Sequence, residues 1–288
     1  MSYLDKIRAC NCWDPVQFLT FYALGKRVGS VKPAFAAALG RWCGQFRLSN
    51  DRLDWVGAPD GFEARTAELA KVTRILAEEG VTVPLHGELY PLTPGGRDEA
   101  LCLIDRALAP YFGARAYGQH LNGFVRPADS RPDGIEKWIG RRAADRRIDP
   151  LHLDNLVAGG LPSGVSLADN LRKECREEAD IPPGLAGRAI PVGAVTYCRD
   201  SERGLKPDVM YCYDLELPDD FVPRCTDGEV EAFYRLPVAE VARLVSDTDE
   251  FKLNCNLVII DFLVRHGGIS QDDPDYLQIL YGLRSPLP

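Results

Sequence analysis

The stretch GGLPSGVSLADNLRKECREEADI, residues 159–181, decides the fold of this chain. It begins with a glycine-rich loop, and Ser166 is a typical N-cap for a helix over residues 167–179. Leu171 and Cys175 lie four residues apart on that helix and form part of an apolar stripe. The pattern therefore predicts a glycine-rich loop followed by an amphipathic helix that docks on a sheet.

Three carboxylates lie on the same predicted helix. Glu174, Glu177 and Glu178 are spaced by three and four residues, so they project from neighbouring positions on one face. Their mutual repulsion costs stability unless a cation neutralises it, and Mg²⁺ or Mn²⁺ prefers such hard oxygen ligands. The alternative is a solvated acidic helix face, on which Lys173 pairs with Glu177.

Outward from this stretch, the chain reads as an α/β protein in two parts and a tail. Residues 1–114 form a mixed N-terminal part, with predicted strands at 18–24 and 27–31 and helices at 65–79 and 98–111. Strands and helices then alternate over residues 115–266, which predicts a mixed α/β domain. Its strands are predicted at 120–125, 137–142, 151–158, 189–198 and 209–217, and its later helices at 238–245 and 256–265. Residues 267–288 are predicted to be a polar tail on the surface.

Composition narrows the function classes. The chain has 288 residues, 45% of them hydrophobic and 26% charged, which is typical of a globular protein. A net charge of −8 argues against nucleic-acid binding, and we found no apolar run of the ~20 residues that a membrane span needs. The first residues lack the apolar segment of a secretory signal, so we expect a cytoplasmic protein. The nine cysteines contain no C-x-x-C pair, which disfavours a zinc or redox motif.

The stretch resembles the Nudix box, G-x5-E-x7-R-E-U-x-E-E-x-G-U, in which U is an aliphatic residue. Gly159 takes the first glycine position, Glu174 the acid after the arginine position, and Glu177 and Glu178 the closing pair. The resemblance implies a hydrolase of phosphorus-containing anhydrides that binds Mg²⁺, or Mn²⁺, through these three acids. It also implies that Glu177 and Glu178 act in catalysis.

Three positions depart from the box. Val165 stands where the first glutamate belongs, which removes one oxygen ligand. Lys173 replaces the arginine that supports the box, and it keeps the charge but not the planar fork of a guanidinium. Asp180 replaces the glycine after the helix, where aspartate is tolerated because it adopts the left-handed conformation more readily than most residues.

Further blocks narrow the resemblance to one branch. Five blocks look like parts of the Nudix domain that is fused to thiamin pyrophosphokinase. They are HLNGFV at 120–125, WIGRR at 138–142, LDNLVAGG at 153–160, DGEV at 227–230 and FKLNC at 251–255. That branch implies an α/β/α sandwich with a mixed sheet, preceded by a smaller α/β domain. It implies hydrolysis of thiamin diphosphate, or of its oxidised or damaged analogues, to the monophosphate and phosphate. ADP-ribose or a nucleotide sugar is an alternative substrate, and a non-catalytic nucleotide-binding module with a degenerate box is an alternative function.

Other candidate residues lie outside the box helix. The family often adds a loop acid, for which we prefer Glu229 to Glu231, the alternative being an acidic turn. Gly159 and Gly160 are candidates for substrate binding. So are Arg141 and Arg142 from a basic group that could instead be solvated surface, namely Arg131, Lys137, Arg141, Arg142, Arg146 and Arg147. We expect a small-molecule diphosphate as the partner, no nucleic acid or membrane, and leave a homodimer open.

Overall fold

The computed structural model describes residues 2–127 and 134–288. The first part of the chain forms helices and short strands in this order: α1 (Tyr3–Cys10), β1 (Leu19–Ala23), β2 (Lys26–Val31), α2 (Pro33–Leu39), β3 (Phe46–Leu48), β4 (Arg52–Trp55), α3 (Phe62–Glu78), β5 (Leu89–Leu92), β6 (Cys102–Asp105) and α4 (Ala109–Phe112). One four-stranded sheet runs β2-β1-β4-β3, and β5 pairs with β6 in a separate hairpin. Their apolar faces share a core with α2 and α3.

The second part is a layered sandwich. Its elements are β7 (Ala116–Val125), β8 (Glu136–Arg142), β9 (Leu153–Asn155), β10 (Val157–Gly160), α5 (Leu167–Ala179), α6 (Pro183–Ala186), β11 (Ile190–Ser201), β12 (Gly204–Glu216), β13 (Val230–Pro237), α7 (Val238–Asp247), α8 (Cys255–Arg265) and α9 (Tyr276–Gly282). The seven-stranded sheet has the order β11-β12-β7-β8-β13, with β10 on β7 and β9 on β8. The β12–β7 pair is parallel and the other pairs are antiparallel, so the sheet is mixed.

Two cores cover the two faces of this sheet. On one face Leu171 and Cys175 of α5 pack against Leu121 and Val157. On the other face α7 and α8 bury their apolar sides against Ile139 and its neighbours. Helices on both faces of a mixed sheet confirm the predicted α/β/α sandwich. Among the described residues, no helix is both long and apolar enough to cross a membrane.

The sequence prediction of a helix over 98–111 is wrong. Residues 102–105 form β6, and a helix begins only at Ala109. The spacing of Leu101, Ile104 and Leu108 suits a helix, but Cys102 and Ile104 also alternate inward on a strand that pairs with β5. Asp105 then accepts hydrogen bonds from the backbone of His86, Gly87 and Ala107, which makes a turn there.

Two more segments differ from the prediction. The strand expected over 151–158 is two strands, because β9 pairs with β8 whereas β10 pairs with β7. The segment expected on the surface after residue 267 contains α9, whose Ile279 is buried in the same core as Ile7 of α1. The domain limits at residues 114 and 266 stay predictions.

Candidate active site

Helix α5 follows the sequence prediction at both ends. The Ser166 hydroxyl oxygen accepts a hydrogen bond from the backbone N–H of Asp169 at 3.1 Å, as an N-cap does. The helix ends at Asp180, which adopts φ 52° and ψ 34° in the left-handed region. Asp180 therefore performs the turn that the box assigns to glycine, and this departure leaves the helix end intact.

Glu178 lies on the buried stripe of α5, seven residues after Leu171, and is 6% exposed. Its Oε2 atom accepts a hydrogen bond from the backbone N–H of Ala158 at 2.8 Å, which ties the helix to β10. Burial raises the pKa of Glu178 to about 8; this hydrogen bond acts against the rise, and the charges of Glu174, Asp154 and Glu229 add to it. The site thus holds a buried carboxyl group that lacks a sufficient counter-charge.

Glu174 packs against the backbone of β10 one turn before Glu178. A Cβ atom on Gly159 would overlap its Cδ atom, so this position has no room for a side chain while Glu174 keeps its conformation. Burial raises the pKa of Glu174, Lys173 lowers it, and the charges of Glu177 and Glu229 raise it. Glycine at 159 therefore allows a second carboxylate to lie beside the strand.

Glu177 is the most exposed of the three helix acids, with 40% of its side chain accessible. The Nζ atom of Lys173 lies 2.7 Å from Glu177 and 3.3 Å from Glu174. Lys173 thus supports the box by pairing with two of its acids. A solvated acidic face describes Glu177, but it does not describe the buried Glu178.

A small cavity between the box helix and the sheet contains the loop acid. Its lining consists of Gly140, Arg142, Asp154, Asn155, Ala158, Glu178, Glu229 and Val230. The loop is tied to α5 by a 2.8 Å hydrogen bond from the Thr226 N–H to the Glu177 carbonyl, and Arg146 lies 2.5 Å from Glu229. Glu231 is exposed and is absent from this lining, so the structure brings Glu229 to the box carboxylates and not Glu231.

The two candidate arginines of β8 lie in different surroundings. Arg142 lines the cavity, where it donates to Asp154 at 3.1 Å and to the carbonyl of Asp149 at 3.0 Å. Arg141 points the other way along the alternation of the strand and donates to the Tyr234 hydroxyl and to the Leu151 carbonyl. The structure therefore brings Arg142 to the site and leaves Arg141 outside the cavity. Arg131 of the same basic group lies outside the described residues.

Asp154 is a site residue that the sequence reasoning missed. Arg142 lies 3.1 Å from its Oδ2 atom and Lys252 3.2 Å from the same atom. Burial acts to raise its pKa, but Lys252, His120 and Arg142 outweigh burial and lower it to about 2. The available signal was a lone acid between Leu153 and Leu156, five residues before Gly159.

A second cluster of donor atoms lies beside this aspartate. His120, Asp154 and Cys255 place one such atom each within 4.8 Å of one another. Two cations already neutralise Asp154, and burial holds the Cys255 thiol pKa well above its ordinary value. The cluster therefore lacks the anionic ligands that a divalent cation requires, unlike the glutamates.

The glutamates, in contrast, fit a divalent cation. Glu174 and Glu178 supply hard oxygen donors, Glu177 adds a third at the solvent side, and Glu229 lines the cavity beside them. Charges of neighbouring acids contribute to the raised pKa of Glu174 and of Glu178, and a bound Mg²⁺ or Mn²⁺ would reverse that contribution.

Comparisons with known proteins identify relatives of this chain. Residues 2–116 match the family described as "Domain of unknown function (DUF4743)". Nudix hydrolase 24, chloroplastic, from Arabidopsis thaliana is 48% identical over 289 residues, which cover 99% of this chain and 78% of that protein. Nudix hydrolase 20, chloroplastic, from the same plant is 41% identical over 296 residues, with the same two shares. The solved structure of DR0079 from Deinococcus radiodurans shares 20% identity and a TM-score of 0.43, over 59% of this chain and 97% of its own.

The chain belongs to the Nudix hydrolase family. It is a hydrolase that acts on phosphorus-containing anhydrides. Enzymes of this family generally use a divalent metal ion, usually Mg²⁺.

Proposed function

We propose that this chain is an Mg²⁺-dependent diphosphate hydrolase whose substrate is thiamin diphosphate, or an oxidised or damaged analogue of it. The observation that carries the hydrolase site is the buried carboxyl group of Glu178, held by the Ala158 N–H beside Glu174 and Glu229. A bound Mg²⁺ or Mn²⁺ would neutralise the diphosphate oxygens and make a bound water more acidic.

Each acid has a separate task in this proposal. Glu174 and Glu178 would hold the metal from the side of α5 that lies against β10, and Glu177 would complete the set from the solvent side. Glu229 lines the same cavity as Glu178 and accepts the proton of the attacking water, and Arg146 keeps its carboxylate in place. Arg142 faces the same cavity and orients Asp154 below it.

The reaction balances with water as the one co-substrate. The water oxygen bonds to one of the two phosphorus atoms, and the bond from that phosphorus to the bridging oxygen breaks. The proton of the water passes to Glu229 and then to solvent, and the bridging oxygen leaves with the other phosphate. The products are a monophosphate ester and inorganic phosphate.

The choice of thiamin rests on the sequence blocks that resemble the branch fused to thiamin pyrophosphokinase. Its test is product analysis by chromatography after incubation with Mg²⁺ and thiamin diphosphate, oxothiamin diphosphate or ADP-ribose. We expect a thiamin-type monophosphate and phosphate from one or both thiamin compounds. Cleavage of ADP-ribose alone would refute the branch, and binding without turnover of any of the three would favour a non-catalytic module.

A further inference from the structure

The strand that enters the box is flanked by two side chains of the N-terminal part. A Cβ atom on Gly160 would overlap the Tyr90 hydroxyl and would lie 3.1 Å from Nη1 of Arg106. Tyr90 belongs to β5, and Arg106 directly follows β6 with its guanidinium 5.7 Å from the centre of the Tyr90 ring. The N-terminal hairpin therefore places a phenol and a cation against the glycine pair of the hydrolase domain.

A rigid frame holds this arginine. The carboxylate of Asp105, 8% exposed, accepts hydrogen bonds from the backbone of His86, Gly87 and Ala107 at 2.8–2.9 Å. The N–H of Arg106 donates to the Glu88 carbonyl at 2.9 Å, and its Nη1 donates to the Glu88 carboxylate at 2.8 Å. The position of the guanidinium is thus set by the turn before a ligand arrives.

Arg106 also lies next to the carboxylate site. Ala158 lines the cavity of Glu178 and Glu229, and Gly160 is two residues further along the same strand. Alternate residues share a face of a strand and are about 6.6 Å apart, so Ala158 and Gly160 face one side of β10, whereas Gly159, against which Glu174 packs, faces the other. Burial acts to lower the pKa of Arg106, but the charges of nearby groups, including Glu174, outweigh it. Arg106 is thus within electrostatic reach of a box acid.

We propose that Arg106 and Tyr90 bind the terminal phosphate of a diphosphate substrate, at the edge of the metal site. This inference rests on the proposed diphosphate hydrolysis and adds the group that selects the substrate class. It makes the N-terminal part a contributor to the substrate site.

The chemistry of the two side chains points to a terminal phosphate. Among the described residues, the guanidinium uses one hydrogen bond, to Glu88, and 38% of the side chain is exposed. A guanidinium has five donors in a plane, which match two oxygens of one phosphate, and the Tyr90 hydroxyl can donate to a third. A terminal phosphate offers three such oxygens and more charge than a phosphate that is esterified on both sides. The site therefore favours substrates with one free phosphate end over dinucleotide-like ones.

The test measures binding without turnover. The probe is methylenediphosphonate, a diphosphate analogue with a P–C–P bridge that is not hydrolysed, titrated calorimetrically in the presence of Mg²⁺. We compare the full-length wild type with Arg106→Gln and with Arg74→Gln, which removes an exposed arginine of α3 as a charge control. We expect Arg106→Gln to weaken binding tenfold or more and Arg74→Gln to leave it within twofold.

Arg106→Lys keeps the charge and separates binding from folding. We expect its affinity to fall between those of the wild type and Arg106→Gln. Equal affinities for the wild type and Arg106→Gln would overturn the proposal, and if Arg106→Gln does not fold, wild-type affinity in Arg106→Lys would do so. Because the probe is not cleaved, a failure of thiamin turnover leaves this test valid.

Discussion

The backbone N–H of Ala158 donates to Oε2 of Glu178 at 2.8 Å, which joins the strand before the box to the last turn of the box helix. This single bond fixes one oxygen of the carboxyl group whose pKa burial raises to about 8. Glu178 is thus positioned by the strand and buried by the sheet, and the charges of Glu174, Asp154 and Glu229 disfavour its ionised form.

The loop acid can be tested with a neighbouring control. Glu229→Gln removes the proposed proton acceptor, so we expect kcat to fall at least tenfold for the substrate that the enzyme cleaves. Glu231→Gln changes an exposed acid two residues away and should leave kcat within twofold. The measurement is kcat of both variants from steady-state kinetics at saturating Mg²⁺. Equal losses of kcat in the two variants would contradict the role of Glu229 as the proton acceptor.

Gly159→Ala should disable the site without unfolding it. The added Cβ overlaps the end of the flexible Glu174 side chain, which can rotate away at little cost in stability. We expect the variant to lose at least tenfold in kcat/KM and to bind Mg²⁺ more weakly in calorimetric titration. Gly184→Ala adds a methyl group where no other atom lies within 4 Å, and it should behave as the wild type does.

Arg97 of the N-terminal part should hold the glycine-rich loop of the box. It donates to the Pro162 carbonyl at 2.9 Å and to the Val165 carbonyl at 3.1 Å. In Arg97→Ala we expect faster amide hydrogen exchange over residues 160–166, measured by mass spectrometry, because the loop loses both bonds. Exchange in α8 should stay unchanged, and an unchanged rate in the loop would show that other contacts hold it.

His120 should make stability depend on pH. Burial is the main cause that lowers its pKa from 6.5 to about 4, so between these values the unfolded chain binds a proton that the folded protein does not. The free energy of unfolding should therefore decrease as pH falls from 6.5 to 4, by about 3 kcal/mol at most. Urea titrations should show a shallower decrease for His120→Gln, whose amide can still bond Asn155. Identical slopes would contradict the burial of a neutral histidine.

The sequence predicted those parts of the structure that depend on neighbouring residues. The bounds of α5 were predicted correctly because they depend on local features. These are the N-cap at Ser166, the apolar stripe of Leu171 and Cys175, and the left-handed turn at Asp180. Residues 102–105 were assigned to a helix because their partner strand β5 lies ten residues earlier, and spacing alone does not show that pairing.

The candidate site was predicted only in part, because the sequence shows local spacing but not contacts between distant segments. Glu174, Glu177 and Glu178 come from one helix, and their shared face follows from helical geometry. The burial of Glu178 depends on Ala158, and the cation beside Gly160 comes from residue 106, so both require the tertiary fold. Arg141 and Arg142 looked equivalent in sequence, and the alternation of β8 separates them.

The central claim is tested most directly by the Mg²⁺-dependent release of phosphate from the thiamin substrates by wild type and Glu178→Gln. Glu178→Gln keeps an acceptor oxygen for the Ala158 N–H but removes the carboxylate that would hold the metal. We predict a loss of turnover of at least about a hundredfold, with an unchanged unfolding midpoint and normal activity in Glu231→Gln. Turnover at the wild-type rate in Glu178→Gln would contradict the assignment of this carboxylate cluster as the active site.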